Sequence, residues 1–204
     1  MNLAVVDRVR AEATPGGRGT CPTCSAPVLA KCGTVTVWHW AHQSGSDCDT
    51  WSEPDSVWHR RRQECAHPLL REVTIGRHRA DVITVGGTVV ELQHSYLSAE
   101  EIAEREAFYG PNMVWIWDAS EAVAARRFQL RRALPGGAST FRWKHPRKTI
   151  AACKARVLID LGDGWVFHIK AMHADAPCGG WGRLVLAEDV ADWMYLPPAA
   201  AVSA

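Results

Sequence analysis

The stretch His78-Arg-Ala-Asp81-Val-Ile-Thr-Val-Gly-Gly-Thr-Val-Val-Glu91-Leu-Gln93-His-Ser95 decides the fold. Two β-branched runs flank Val85-Gly86-Gly87, so the segment reads as a hairpin turning on glycines. Residues i and i+2 of a strand share a face, which points Glu91 and Gln93 the same way. The loop length then decides where Asp81 falls. A two-residue Gly86-Gly87 turn would pair Asp81 with Leu92 and separate the acids. A three-residue loop with a bulge pairs Thr84 with Thr88 and makes Asp81 and Glu91 direct neighbours. The second register is the expectation. Adjacent carboxylates repel each other, and a divalent cation would offset that repulsion. Asp81 and Glu91 are therefore candidate oxygen ligands for Mg²⁺ or Mn²⁺, activating a water for attack on phosphorus. The plainer alternative is two acids on the solvent face of an edge hairpin.

On either side of the hairpin, the pattern alternates helix and strand. Upstream, Ser52-Glu53-Pro54-Asp55 reads as a helix start, with Ser52 as cap, proline in the first turn and acids at the positive end. The helix continues through His59 and Arg60-Arg61-Arg62 towards Leu70, with a break available at Pro68. Asp55 and His59 stand four apart and share a helical face, and Arg60 is a candidate phosphate contact. Glu72–Ile75 is a short strand. Downstream, Ser98 with Glu101 forms a capping box for a helix over Ala99–Tyr109, in which Arg105 could brace Glu91 or meet phosphate. Met113-Val-Trp-Ile-Trp117 is a continuous apolar run, the mark of a buried strand. The result is helix, three strands, helix, strand over roughly residues 52–118.

The N-terminal part carries a second pattern. Cys21-Pro-Thr-Cys24 and His39-Trp-Ala-His42 form a Cys2His2 set suited to tetrahedral Zn²⁺. Two residues between the histidines is a shorter gap than in finger helices, so a ribbon fits better and Cys32, Asp47 or Cys48 could substitute. The alternative is reduced cysteines beside packed histidines.

These words together resemble the competence protein CoiA-like nuclease family of the PD-(D/E)XK superfamily. The resemblance rests on His78-Arg-Ala-Asp81-Val, Glu91-Leu-Gln93-His-Ser, the acid-to-histidine spacing Asp55/His59, and Cys-Pro-x-Cys followed by His-x-x-His. It covers the chain from the Cys pair to the basic segment near residue 148 and implies an α/β restriction-endonuclease-like core with an N-terminal zinc-ribbon-like module, to which the strand pattern beyond adds a small C-terminal β-rich module. It implies a metal-dependent DNA nuclease that hydrolyses phosphodiester bonds, or, failing that, an inactive DNA-binding or recombination accessory protein with a structural zinc. Asp81 and Glu91 would hold Mg²⁺ with Asp55 or Glu53, and His59 and Gln93 would assist. Most superfamily members place lysine where Gln93 stands. Glutamine orients by hydrogen bonds and supplies no charge. Arg105 matches an arginine that recurs in the family.

The remaining features bound this reading. Of 204 residues, 47% are hydrophobic and 22% charged, which suits a folded chain rather than a disordered one. No apolar run is long enough for a membrane span and no signal-peptide core is evident, so a cytoplasmic location without membrane contact is expected. Seven cysteines with one close pair argue against a disulfide framework. A net charge of +1 means that any DNA track must be local. Candidates are Arg142 and Lys144 in Phe141–Lys148, where basic and aromatic residues interleave. The period predicts a helix over Glu121–Leu134, two or three strands over 155–186 and a short helix at Glu188–Met194. Expected domains are 1–50, 51–134 and 135–204, and a homodimer is open.

Overall fold

The computed structural model describes residues 1–43, 48–51, 56–144, 148–173 and 176–195. The N-terminal module is a five-stranded antiparallel sheet of β1 (Leu3–Val6), β2 (Val9–Glu12), β3 (Arg18–Thr20), β4 (Pro27–Lys31) and β5 (His39–His42), in the order β2-β1-β3-β4-β5. Trp40, Val28, Ala4 and Cys21 fill its small core.

The rest of the chain builds one nine-stranded sheet. Helix α1 (Val57–Glu64) leads into β6 (Arg71–Ile75), β7 (His78–Ile83) and β8 (Val89–Gln93). Next come α2 (Ala99–Tyr109) and β9 (Met113–Asp118). The order helix, three strands, helix, strand therefore stands as the sequence implied. β8 and β9 are parallel, as α2 crossing between them requires. Short α3 (Ser120–Ala124) precedes β10 (Phe128–Ala133) and β11 (Ala138–Trp143). Then follow β12 (Arg156–Asp160), β13 (Trp165–His173), β14 (Ala176–Leu186) and α4 (Ala187–Tyr195). The sheet runs β10-β11-β14-β13-β12-β9-β8-β7-β6.

Met113–Trp117 lies inside the sheet, between β12 and β8, and is apolar on both sides. Trp115 and Trp117 enter a core with Ile102 of α2, Phe128, Phe141 and Phe167. Val114 and Ile116 enter the opposite core with Val82, Val90 and Leu158, covered by Trp58 of α1 and Val190 and Met194 of α4. Each fully buried side chain of this size contributes roughly 1.5–3 kcal/mol. Among the described residues no helix is long and apolar enough to cross a membrane.

Three expectations need correction. Glu121–Leu134 is not one helix. Arg126 adopts a left-handed φ of 55°, the helix stops at Ala124, and Phe128–Ala133 pairs with β11. Phe128 and Leu130 alternate with polar residues, and Phe128 packs on Phe141 and Trp143, so tertiary burial overrides helical period. The boundaries at 134 and 135 do not set off a separate module either. β12 pairs in parallel with β9, and the C-terminal strands extend the same sheet. The cap of α1 is Ser56, whose side chain accepts from His59 N, in place of Ser52, which lies outside the described residues with Glu53 and Asp55.

The N-terminal sheet is docked through polar contacts. Glu72 takes the amides of Asn2 and Leu3 at 2.7 Å each, from a left-handed φ of 46° that these bonds hold. At the other side, Asp160 Oδ2 accepts from Trp58 Nε1 and Arg62 Nε at 2.6 Å each, pinning α1 to the end of β12.

Candidate functional site

The hairpin takes the three-residue loop. Thr84 N donates to Thr88 O at 2.9 Å and Gly87 N to Thr84 O at 2.8 Å. The ladder pairs Val82 with Val90 and Ile83 with Val89. Gly87 has a φ of 75°, the left-handed step that closes this loop and that glycine adopts without a Cβ penalty. Continuing the register sets Asp81 opposite Glu91, and Asp81 N lies 3.4 Å from Glu91 Oε1. The paired ladder ends at Val82 and Val90, and Leu92 N donates to the Asp81 carboxylate at 2.8 Å.

Each acid has a basic partner from a different helix. His59 Nε2 of α1 lies 3.0 Å from Asp81 Oδ1. Arg105 Nη1 of α2 donates to Glu91 Oε2 at 3.2 Å. Glu91 is 3% exposed and Arg105 5%. The two acids titrate in opposite directions. Burial and the neighbouring Asp81 charge push Glu91 up to about 8, against the pull of Arg105. Burial also opposes ionisation of Asp81, but the charge and hydrogen bond of His59 and the Leu92 amide hold it below its ordinary value. Gln93 shares the face of Glu91 and is 1% exposed, and its amide nitrogen donates to Ser95 O and Ser95 Oγ at 3.2 Å each.

Several residues in this centre had no role in the sequence pattern. Gln63 of α1 is buried, accepts from Asn2 Nδ2 at 2.7 Å and donates to Asp81 O at 3.3 Å, tying both modules to the acidic strand. Asp49 faces His78 Nδ1 at 2.8 Å and accepts from Arg79 N at 2.8 Å. Trp51 stacks on His78 with ring centroids 3.3 Å apart. The Tyr109 hydroxyl is buried with no hydrogen-bond partner among the described residues, and burial with the charges of Glu91, Asp81 and Asp49 raises its pKa. None of these contacts is local, so spacing could not have found them. The one available signal was that Tyr109 stands four residues after Arg105, on the same face of α2.

Of the expected phosphate contacts, Arg142 and Lys144 are exposed on and beside β11. Arg60 and Arg105 have partners within the protein, which for Arg105 is the brace on Glu91 that the sequence offered beside a phosphate contact. Arg60 donates to Asn2 Oδ1 at 2.7 Å and to Trp38 O, bracing the N-terminal module, and Arg105 is buried against Glu91.

The Cys/His set is assembled with one exchange. Cys21, Cys24, His42 and Cys48 place their ligand atoms within 4.8 Å of one another. Cys21 Sγ lies 3.7 Å from Cys48 Sγ, and Cys24 Sγ lies 3.3 Å from His42 Nε2. A tetrahedral site with Zn–S near 2.3 Å and Zn–N near 2.0 Å has edges of roughly 3.5–3.8 Å. Geometry and donor set thus fit a structural Zn²⁺. Crowding has opposite effects on two of the thiols. Burial and the neighbouring thiols push Cys48 up to about 12. Cys21 comes down to about 7 despite its burial, because the Cys24 and Thr23 amides donate to its sulfur.

His39 is not in the set. Positions three apart on a strand face opposite ways, so β5 can aim only one of His39 and His42 at the sulfurs. His39 Nδ1 instead lies 2.9 Å from Val37 O. Cys48, one of the alternatives in the sequence, takes the fourth corner. Cys32 does not join the set, and Asp47 lies outside the described residues.

Neither a curated protein nor a solved structure matches the chain. Residues 10–50, which include all four members of the Cys/His set, match the family model described as competence protein CoiA, N-terminal domain. Over these residues the chain is similar to the N-terminal domain of competence protein CoiA.

Proposed function

We propose that the protein is a metal-dependent deoxyribonuclease with a competence-related role, hydrolysing DNA phosphodiester bonds at the Asp81–Glu91 centre. The observation that carries this reading is the adjacency of Asp81 and Glu91, each gripped by a basic residue from a different helix. An ion pair confined to solvent would not need a 3%-exposed glutamate beside a second acid. Neighbouring acids whose pKa values are driven apart are the arrangement seen where chemistry is done. The matched CoiA N-terminal domain supplies the competence context.

Asp81 and Glu91 would hold Mg²⁺ or Mn²⁺. Mg²⁺ is commonly retained by one or two carboxylates together with waters and substrate phosphate, so two acids are a sufficient donor set. Among the described residues no third His, Cys or acid joins them in a compact cluster. When bound, the ion would lower the pKa of a water and offset charge gathering on phosphorus. His59 keeps Asp81 ionised and fixes its orientation. Arg105 stabilises the ionised form of Glu91 and holds its carboxylate against the strand. Gln93, bonded to Ser95, buttresses the end of β8 and contributes no charge. Exposed Arg142 and Lys144 offer phosphate contacts along the sheet.

The test is cleavage of plasmid, linear and single-stranded DNA with Mg²⁺ or Mn²⁺, comparing wild type with Asp81→Ala and Glu91→Ala. Metal-dependent cleavage lost in both variants supports the reading. Salt-sensitive DNA retention without cleavage, equal in all three proteins, replaces it with a non-catalytic accessory role.

A further inference from the structure

Cys48 is followed directly by Asp49-Thr50-Trp51, a segment with no strand or helix of its own. Its contacts run from the Cys/His set to the acidic centre. Asp49 Oδ1 meets His78 Nδ1 at 2.8 Å and accepts from Trp51 N at 3.0 Å, while Oδ2 accepts from Arg79 N at 2.8 Å. His78 and Arg79 open β7, the strand that carries Asp81. The Trp51 ring lies flat on His78, with planes 4° apart, and meets Phe108 edge-on at 5.4 Å. The Trp51 carbonyl then accepts from Arg105 Nη2 at 3.2 Å, and the guanidinium carbon sits 5.4 Å from the Trp51 ring. Arg105 passes the chain of contacts to Glu91.

A short segment outside any ladder stays ordered only while its ends are anchored, because its backbone entropy is otherwise recovered. Here one end is anchored by Cys48 and the body by a buried aspartate. We infer that Asp49 and Trp51 are positioning residues, through which Zn²⁺ at Cys21, Cys24, His42 and Cys48 orders Arg105 and Glu91. The zinc module is thereby a condition for the acidic centre rather than an independent appendage. The last link, to cation binding, rests on the proposed reading of Asp81 and Glu91, whereas the links from zinc to Arg105 do not.

Two readouts on the full chain test this. Hydrogen exchange is followed in peptides covering residues 78–83, 89–93 and 99–109, and Mn²⁺ binding is followed by electron paramagnetic resonance. Zinc-loaded wild type is compared with chelator-stripped protein, Asp49→Ala, Trp51→Ala and Trp51→Phe. Stripping and Asp49→Ala are each expected to speed exchange in 89–109 and to weaken Mn²⁺ binding about tenfold, the lower end for losing an outer-shell support. Asp49→Ala should keep its zinc, and Trp51→Phe, which retains a stacking ring, should recover most of what Trp51→Ala loses. The inference is overturned if stripping speeds exchange only within residues 1–43, or if Asp49→Ala leaves 89–109 fully protected. Should Asp49→Ala fail to fold, the Trp51→Ala and Trp51→Phe pair decides alone. If zinc-loaded wild type binds no Mn²⁺, the cation reading and the last link fall, while exchange still decides the links from zinc to Arg105.

Discussion

Asp81 N lies 3.4 Å from Glu91 Oε1, yet the two side chains are held by groups from opposite layers, His59 of α1 and Arg105 of α2. The acidic pair is therefore already partly neutralised within the protein. Near neutral pH one member is ionised and the other keeps its proton, and this asymmetry gives the centre measurable consequences.

The first concerns cation binding. If Glu91 is a ligand as proposed, a cation would take its carboxylate form, and with its pKa pushed up to about 8 binding would release a proton below that pH. Apparent Mn²⁺ affinity is expected to rise about tenfold per pH unit from pH 6 towards 8 and then level off. Calorimetry in buffers of different ionisation enthalpy reads the released proton directly. No proton release at pH 6.5 would mean that Glu91 is not a ligand.

Stability of the metal-free protein follows from the same shift. The folded-state pKa of Glu91 lies above its unfolded value, so the native state binds this proton more tightly. That contribution is fully present below the unfolded pKa and is lost as pH rises through about 8. The slope is at most about 1.4 kcal/mol per pH unit. Asp81, shifted down, contributes above its unfolded pKa and loses that contribution in acid, outside this window. Urea denaturation between pH 5 and 9 should show the decline in wild type and a flatter profile in Glu91→Gln.

Arg105→Met leaves two buried acceptors, Glu91 Oε2 and Trp51 O, without this donor. A cost of about 1–3 kcal/mol per unsatisfied group is expected. The same denaturation experiment checks it, and a change within 0.5 kcal/mol, roughly that of an ordinary surface substitution, would contradict it.

Zinc stoichiometry separates the two histidines. His39→Ala should retain zinc, because His39 faces Val37 O rather than the sulfurs. Cys48→Ser should lose more than the roughly 10–100-fold affinity that an outer-shell change costs. Metal analysis after dialysis against a weak chelator reads both, and the opposite pattern would restore the Cys2His2 set.

What could be read from the sequence was local. Val85-Gly86-Gly87 set the hairpin register because loop length and pleat leave few options, and Met113–Trp117 declared itself by being apolar on both faces. The capping box of Ser98 and Glu101 formed as its spacing implied. The errors were non-local. Residues Phe128–Ala133 became a strand because Phe128 had an aromatic cluster to join, which periodicity within one segment cannot see. Asp49 and Trp51 belong to the site through partners about thirty and fifty residues downstream. His39 was legible in principle, since two histidines three apart cannot face the same way on a strand. Phe128→Ala tests the strand assignment, with an expected cost of about 3–5 kcal/mol for a core aromatic.

The central claim is that Asp81 and Glu91 act together in cleaving DNA, and divalent-ion-dependent nicking of supercoiled plasmid tests it most directly. With Mg²⁺ or Mn²⁺, wild type should convert supercoiled plasmid to nicked and linear forms. Folded, zinc-loaded Asp81→Ala and Glu91→Ala should not. Cleavage that persists at the wild-type rate in either folded variant, or wild type that cuts no DNA form with either ion, would contradict the account.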